Sequence, residues 1–254
     1  MTEHIVLHRE DNILHIQIDR PKKRNALTQA MYSAIEEALG QAAEDNTRAV
    51  VISGSKECFT AGNDLRDFMN GGLKADSPVM RFLHRIATFE KPLIAAVAGH
   101  AIGVGTTLLF HCDLVYATAD AKLKTPFVDL ALVPEAASSL LMPIGLGYQR
   151  AAAMLMLGES MSGAEAHAAG VVNKIVAPEE LIDTALAKAR ILATKPPAAL
   201  RMTKALMKKT DSEAVMARMM EEGQLFMERL SSPEAMEAFS AFMQQRAPDF
   251  SKFS

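Results

Sequence analysis

The chain has 254 residues, of which 49% are hydrophobic and 22% are charged, and its formal net charge is −3. This hydrophobic content suffices for the core of one large α/β domain, and the balanced charge gives no electrostatic reason to expect a nucleic-acid partner. Cys58 and Cys112 are too few for a disulfide framework and favour a reducing compartment. Because the sequence also shows neither a secretory signal nor a membrane-spanning run, we expect a cytoplasmic protein without a membrane partner.

The first elements are two short runs, residues 3–8 and 13–19, in which apolar and polar side chains alternate. This alternation predicts a β-hairpin. Residues 20–27, Arg-Pro-Lys-Lys-Arg-Asn-Ala-Leu, form a basic loop that leads into a predicted helix. The cations of this loop, including Lys23 and Arg24, could hold phosphates, although a solvated loop explains them about equally well.

A strand–turn–helix unit follows. Residues 49–54 have the composition of a buried strand of a parallel sheet, and Ala61-Gly62 predicts a turn before a helix that Asp64 can start. Such a turn leaves the backbone N–H of Asn63 free where the chain bends. The amide of Asn63 is therefore a candidate hydrogen-bond donor to a ligand.

The stretch from Pro92 to Val115 predicts a strand, a break at Ala98-Gly99-His100, a turn at Gly103-Val104-Gly105 and a short helix with no polar face. Free amides at the start of this helix, that of Val104 among them, could bind an oxyanion or a phosphate. Simple packing of a buried helix explains the small residues as well. A dinucleotide-binding loop is a third interpretation, but Leu108 replaces its last glycine.

Glu135 follows Pro134, where the pattern predicts the start of a helix, and is surrounded in sequence by apolar residues. Such surroundings disfavour a charged carboxyl group and raise its pKa towards neutrality, which suits a general base. A glutamate in the first turn of a helix, complementing the helix dipole, is the structural alternative. From Gly147 onward the pattern is almost wholly helical, with one short strand near residues 172–176.

The usual motifs of several enzyme classes are absent from the sequence. It contains no G-x-S-x-G, G-x-x-x-x-G-K-[ST], H-E-x-x-H or C-x-x-C, so serine hydrolase, P-loop and zinc chemistry lack their anchors. We therefore expect no metal site.

Four segments, in this order and spacing, are similar to the crotonase (enoyl-CoA hydratase/isomerase) superfamily: residues 20–27, 59–65, 98–105 and 112–117. The resemblance extends from about residue 4 to residue 250. It implies an α/β fold in which repeated ββα units form a spiral core over residues 1–195. It also implies a helical region over residues 196–254 that assembles the chain into a homotrimer or a dimer of trimers.

The resemblance also implies a joint role for the two free amides, since Asn63 and Val104 match the positions whose N–H groups bind the thioester oxygen of an acyl-CoA. The two glutamates of the family's hydratases correspond here to Thr107 and Phe127. Neither side chain can activate water, which argues against efficient hydration.

Glu135 instead resembles the carboxylate of the family's Δ3,Δ2-enoyl-CoA isomerases, which implies a shift of the double bond from 3-enoyl-CoA to 2-trans-enoyl-CoA. Another crotonase reaction, such as dienoyl-CoA isomerisation or residual hydration, and a catalytically weak acyl-CoA-binding member are the alternatives. The acyl-CoA is the only small-molecule partner that the resemblance implies, and no further cofactor is expected.

The expected substrate contacts comprise the basic loop, the neighbouring turn and part of an acyl pocket. The predicted residues are Lys23, Arg24, Ala26, Ala61, Asp64, Phe68 and Leu140.

Overall fold

The computed structural model describes residues 3–67, 76–209 and 212–253, so Phe68, one of the predicted acyl contacts, lies outside the described residues. The strands are β1 (Ile5–Glu10), β2 (Ile13–Ile18), β3 (Ala49–Ser53), β4 (Cys58–Thr60), β5 (Leu93–Val97), β6 (His100–Ile102), β7 (Leu114–Ala117), β8 (Lys122–Lys124), β9 (Met161–Ser162) and β10 (Lys174–Ile175). The α-helices described are α1 (Gln29–Glu44), α2 (Pro78–Thr88), α3 (Val104–Thr107), α4 (Ser138–Leu146), α5 (Tyr148–Met156), α6 (Gly163–Ala168), α7 (Leu181–Ala193), α8 (Pro197–Lys208), α9 (Ser212–Leu230) and α10 (Pro233–Met243).

The strands of the described ranges form two sheets, ordered β1-β2-β3-β5-β7-β10 and β4-β6-β8-β9. β1 and β2 are antiparallel, with Ile5 opposite Ile18, which confirms the predicted hairpin. From β2 to β10 the first sheet is parallel, and in the second sheet β4, β6 and β8 are parallel. The parallel strands place the turns that follow them at one edge of each sheet.

The repeat that builds the two sheets is a ββα unit. β3 and β4, β5 and β6, and β7 and β8 each give one strand to each sheet, and α2, α3 and α4 follow these pairs. This confirms the predicted repeat. One detail differs from the sequence analysis: the expected break at Ala98-Gly99-His100 includes the start of β6, because the chain crosses there to the second sheet.

The core lies on both faces of the first sheet. Val50 and Ile52 of β3 pack into the main cluster, whereas Val51 packs with the residues of α7 on the opposite face. Successive side chains of a strand point to opposite faces, so a strand that is apolar throughout has to be covered on both sides.

The C-terminal helices complete the main core rather than standing apart from it. α7 ends at Ala193 and α8 begins at Pro197, so the predicted boundary at residues 195–196 falls between these two helices. Met219 and Phe226 of α9 belong to the same buried cluster as the sheet residues. Among the described helices, none combines the length and the apolar character needed to cross a membrane.

Candidate active site

The two predicted turns lie side by side. They follow β4 and β6, which are parallel neighbours in the second sheet, with Thr60 opposite Ala101. Gly62 has φ +83°, and a Cβ atom placed on it would lie 2.8 Å from the carbonyl oxygen of Ile102. Glycine is needed at position 62 because the backbone of the second turn passes so close.

Each turn presents one backbone amide that the described residues leave unpaired. The carbonyl of Gly62 accepts from Leu27 at 2.8 Å and the N–H of Asp64 donates to Leu27 at 2.9 Å, while no hydrogen bond from Asn63 N is found in the described ranges. The same holds for Val104 N, the first N–H of α3. Adjacent free N–H groups at a turn and a helix start can bind an oxygen that carries negative charge.

The side chain of Asn63 is held in place by a hydrogen bond from Tyr32. Tyr32 is fully buried on α1, and its hydroxyl donates a hydrogen bond of 2.5 Å to Asn63 Oδ1. The Phe82 ring packs against it, with the ring centroids 5.3 Å apart. Burial, and secondarily the charge of Glu135, raises the pKa of Tyr32, so this residue remains a neutral donor.

Glu135 does not lie in the first turn of a helix, contrary to the predicted helix start after Pro134. Ala136 and Ala137 have φ +59° and +54°, and α4 begins only at Ser138. These left-handed conformations are costly for residues with a Cβ atom and need support from neighbours. His111 supplies part of it, because its Nε2 lies 2.8 Å from the carbonyl oxygen of Ala136 and must carry the hydrogen there.

The carboxyl group of Glu135 enters a small cavity that also contains Asn63. The hydroxyl of Thr107 donates to Glu135 Oε1 at 2.5 Å. The cavity has a volume of about 20 Å³, and its lining residues are Asn63, Val79, Met80, Leu83, Glu135, Ala136, Met219, Gly223 and Phe226. An acyl group needs more room, which the flexible side chains of Met80 and Met219 can provide by changing rotamer.

The surroundings of Glu135 shift the pKa of its carboxyl group towards neutral pH. Burial among apolar side chains raises its pKa from 4.5 to about 7, the hydrogen bond from Thr107 opposes this rise, and the charge of Glu222 adds to it. A carboxyl group with a pKa near neutrality can both accept and return a proton. The site therefore combines a tuned carboxylate with two backbone donors.

The two positions that correspond to the hydratase glutamates contribute no acid. Thr107 is fully buried and is engaged with Glu135. Phe127 is buried with its ring edge-to-face against Phe226, the centroids 6.5 Å apart. Glu135 is thus the one titratable side chain among the described residues that line the cavity.

The basic loop is attached to the turn that carries Asn63. Arg20 donates to the Ala26 carbonyl at 3.0 Å and to Asp64 Oδ2 at 2.7 Å. The N–H of Ala61 donates to the Arg24 carbonyl at 3.0 Å. The Ala26 carbonyl and the Ala61 N–H therefore form hydrogen bonds inside the protein. These bonds bring the loop to the edge of the site.

Lys23 and Arg24 are exposed on this loop, in a position to attract an anionic group. Asp64 faces inward instead and accepts hydrogen bonds from Arg66 N and Asp67 N as well as from Arg20. Burial raises the pKa of Asp64, but these hydrogen bonds and the Arg20 charge outweigh it and hold the pKa below its usual value. The structure thus gives Asp64 a role in fixing the turn.

Some predicted and observed site residues differ. Leu140 packs on the core from α4 and is not among the described residues that line the cavity. Tyr32 and Glu222 were not identified from the sequence. Glu222 could have been found, because it interrupts an apolar stripe on α9 formed by Val215, Met219 and Phe226.

A larger groove of about 860 Å³ lies between the core and helices α8 and α9, but it contains none of the predicted site residues. We therefore place the chemistry at the smaller cavity, which Asn63 and Glu135 line together. Val104 is not among its described lining residues, but it begins α3, the helix from which Thr107 bonds Glu135. Within the part of the chain that the structure describes, no group of three or more metal-binding side chains is found.

Comparison with known proteins gives a consistent match over the whole chain. A family model described as enoyl-CoA hydratase/isomerase matches residues 8–252. The chain is 34% identical over 250 residues to enoyl-CoA delta isomerase 2 of Rattus norvegicus, covering 95% of this chain and 64% of that protein, so it spans just under two thirds of that relative's length. It is 32% identical over 249 residues to 2,3-dehydroadipyl-CoA hydratase of Escherichia coli K12, covering 97% of this chain and 98% of the relative. The solved structure of Pseudomonas aeruginosa OdaA is 46% identical with a TM-score of 0.93, covering 95% of this chain and 99% of that one.

Proposed function

Because the chain belongs to the enoyl-CoA hydratase/isomerase family, we propose that it converts 3-enoyl-CoA to 2-trans-enoyl-CoA. Family membership makes it an acyl-CoA enzyme of the hydratase/isomerase type. The observation that carries the finer proposal is that Glu135, with a pKa of about 7, is the one titratable side chain among the described residues lining the cavity. A double-bond shift needs a single base, whereas hydration is served by two acids.

In the proposed reaction, the thioester oxygen accepts hydrogen bonds from Asn63 N and Val104 N. The Glu135 carboxylate takes a proton from C2, so that the C2–H electrons move into a dienolate whose negative oxygen the two amides stabilise. The protonated Glu135 then returns the proton to C4, and the remaining double bond lies between C2 and C3. Each donor of such an oxyanion site contributes roughly 3 kcal/mol to the stability of the transition state.

The apolar lining assists both steps. Side chains such as Leu83 and Phe226 exclude water, which would otherwise exchange the proton before it reached C4. Thr107 holds the carboxyl group by one oxygen and leaves the other for the substrate. The same carboxyl group can therefore serve C2 and C4 in turn.

The direct test is conversion of 3-hexenoyl-CoA by the wild type and by Glu135→Gln. We expect the substitution to lower turnover by about 10³-fold, because it removes the proposed base, while binding of hexanoyl-CoA in calorimetry persists. Glu228→Gln, which changes an exposed glutamate on α9, is the matched control and should retain full activity. Undiminished isomerisation by Glu135→Gln would refute the assignment.

Hydration is the second candidate function, because the relative in Escherichia coli K12 is named a hydratase and is matched over nearly its full length. Faster hydration of crotonyl-CoA than isomerisation of 3-hexenoyl-CoA would favour it. Acyl-CoA binding in calorimetry without turnover on either thioester would instead favour a catalytically weak binding protein.

A homotrimer or a dimer of trimers, in the cytoplasm, completes the proposal. The assembly is supported by large apolar side chains that remain exposed on the single chain, such as Met156 and Leu157 at the end of α5 and Leu206 on α8. Light scattering that reports a monomer would contradict the assembly.

A further inference from the structure

A second carboxyl group lies close behind the candidate base. Glu222 is on α9 and only 4% of its surface is exposed. Met219, Gly223 and Phe226, which are its neighbours on the same helix, line the cavity together with Glu135. Carboxylates are rarely buried unless they have partners, so the surroundings of Glu222 require an explanation.

Glu222 is bonded to the start of α4. Its Oε1 accepts a hydrogen bond from Ser139 N at 2.9 Å, and α4 has no cap from the side chain of its own N-cap residue, Ala137. A carboxylate at a helix N-terminus satisfies a free N–H group and interacts favourably with the helix dipole. Glu222 therefore fixes the first turn of α4, directly after the left-handed pair Ala136 and Ala137 that orients Glu135.

The second carboxyl oxygen of Glu222, Oε2, does not bind Ser139 N. Oε2 is buried and has no hydrogen-bond partner with normal geometry among the described residues. Burial raises the pKa of Glu222, while contacts with Ser139 and Ala137 and the charge of Arg218 oppose the rise. Arg218 is itself bonded to Ser139 Oγ at 3.0 Å, so it belongs to the same group of contacts.

Among the described residues, three neutral polar side chains also contact this part of the site or interact with it. From α1 comes the neutral phenol of Tyr32, and from the turn after α3 comes His111, whose pKa burial lowers to about 4 and which is therefore neutral at pH 7. Thr107 contributes a hydroxyl group. Glu222 is thus the like charge that acts on Glu135, and Arg218 is the opposite charge beside it.

We propose that Glu222 is a positioning residue for Glu135: it anchors the first turn of α4 through Ser139 and sets a second carboxyl group behind the base. The proposal rests on Glu135 acting as the base. The anchor keeps the Glu135 carboxyl in the cavity despite the left-handed backbone that follows it. The charge of Glu222 disfavours a second negative charge at Glu135 and so makes Glu135 a stronger base.

The test compares Glu222→Gln with the wild type in two measurements. Glu222→Gln keeps an oxygen for Ser139 N but removes the charge, so the infrared titration midpoint of the Glu135 carboxyl should move to lower pH. The Glu135 band is identified by its loss in Glu135→Gln. The acidic limb of kcat/KM for 3-hexenoyl-CoA should move to lower pH by the same amount, because less alkali is then needed to ionise the base.

Two further variants separate this role from a structural one. Glu222→Asp keeps the charge but is one methylene too short for Ser139 N, so kcat should fall about tenfold with the titration midpoint unchanged. Glu228→Gln, on the same helix but exposed, should match the wild type in every measurement. An unchanged Glu135 midpoint in Glu222→Gln, or a wild-type kcat in Glu222→Asp, would overturn the proposal. The infrared midpoint needs no turnover, so it remains decisive even if the enzyme proves to catalyse a different crotonase reaction.

Discussion

The candidate active site has two walls that are built in different ways. The backbone wall consists of Gly62-Asn63 and Gly103-Val104, and it offers main-chain N–H groups. The carboxylate wall consists of Glu135 to Ala137, and it offers one side chain. The backbone wall is set by strand pairing and glycine conformation within two adjacent turns. The carboxylate wall depends on contacts from distant parts of the chain.

These contacts from distant parts of the chain explain how the carboxylate wall can keep an energetically unfavourable backbone conformation beside a carboxyl group that is partly removed from solvent. His111 bonds the carbonyl of Ala136, Thr107 bonds the Glu135 carboxyl, and Glu222 bonds Ser139. Together they fix two left-handed alanines and a half-buried acid, none of which is favourable alone. We therefore expect substitutions to disrupt the backbone wall through steric clashes, and to disrupt the carboxylate wall through changes in charge and hydrogen bonding.

Apart from loss of the base Glu135 itself, the largest effect should come from breaking the backbone wall at Gly62. In Gly62→Ala, the new Cβ would meet the Ile102 carbonyl oxygen at 2.8 Å, so the two turns must separate and the amides lose their alignment. We expect kcat/KM to fall by about 10²-fold or more, measured with 3-hexenoyl-CoA. Gly147→Ala is the matched control, because Gly147 has a similar φ of +80° but nothing within 4 Å of the added carbon. Equal losses in both variants would mean that strain, and not the contact between the turns, is responsible.

Ionisation of Glu135 in the carboxylate wall should lower the free energy of unfolding as the pH rises. The pKa of Glu135 is raised from 4.5 to about 7 in the folded state, so folding favours its neutral form. That stabilisation is complete below pH 4.5 and is lost as the pH rises through about 7. Relative to the wild type, Glu135→Gln should therefore gain about 3 kcal/mol of unfolding free energy between acid and mildly alkaline pH. Urea unfolding at several pH values measures this, and Glu228→Gln should show no such gain.

The sequence predicted the backbone wall better than the carboxylate wall, for a physical reason. Gly62 and Gly103 mark their turns locally, and the amide donors do not depend on which side chain follows. Glu135 was identified by its apolar surroundings, but the helix start was misplaced because two alanines adopt φ values that alanine rarely takes. The anchor at Glu222 is 83 residues from its partner Ser139, and no local pattern encodes such a contact.

A smaller effect is expected where the two walls meet, at Thr107. This residue belongs to α3, which starts with the Val104 amide, and its hydroxyl lowers the pKa of Glu135. Thr107→Val removes the hydroxyl at nearly constant volume, so the pKa should rise above about 7 and the acidic limb of kcat/KM should move to higher pH. Activity at neutral pH should fall several-fold. Thr107→Ser keeps the hydroxyl and should preserve the limb; a shift of equal size in the serine variant would assign the effect to packing.

The smallest effect is expected outside both walls, at Lys23. This lysine is exposed on the loop that Arg24 and Ala61 attach to the backbone wall, so its charge can attract the phosphates of coenzyme A only through screening solvent. Lys23→Ala should raise KM about two- to threefold and leave kcat unchanged, and the difference should vanish at high salt. Lys188→Ala removes the same charge from α7, which covers the opposite face of the first sheet, and should not change KM. If kcat fell with Lys23→Ala, the loop would have to act on the alignment of the Asn63 amide, and the backbone wall would extend beyond its two turns.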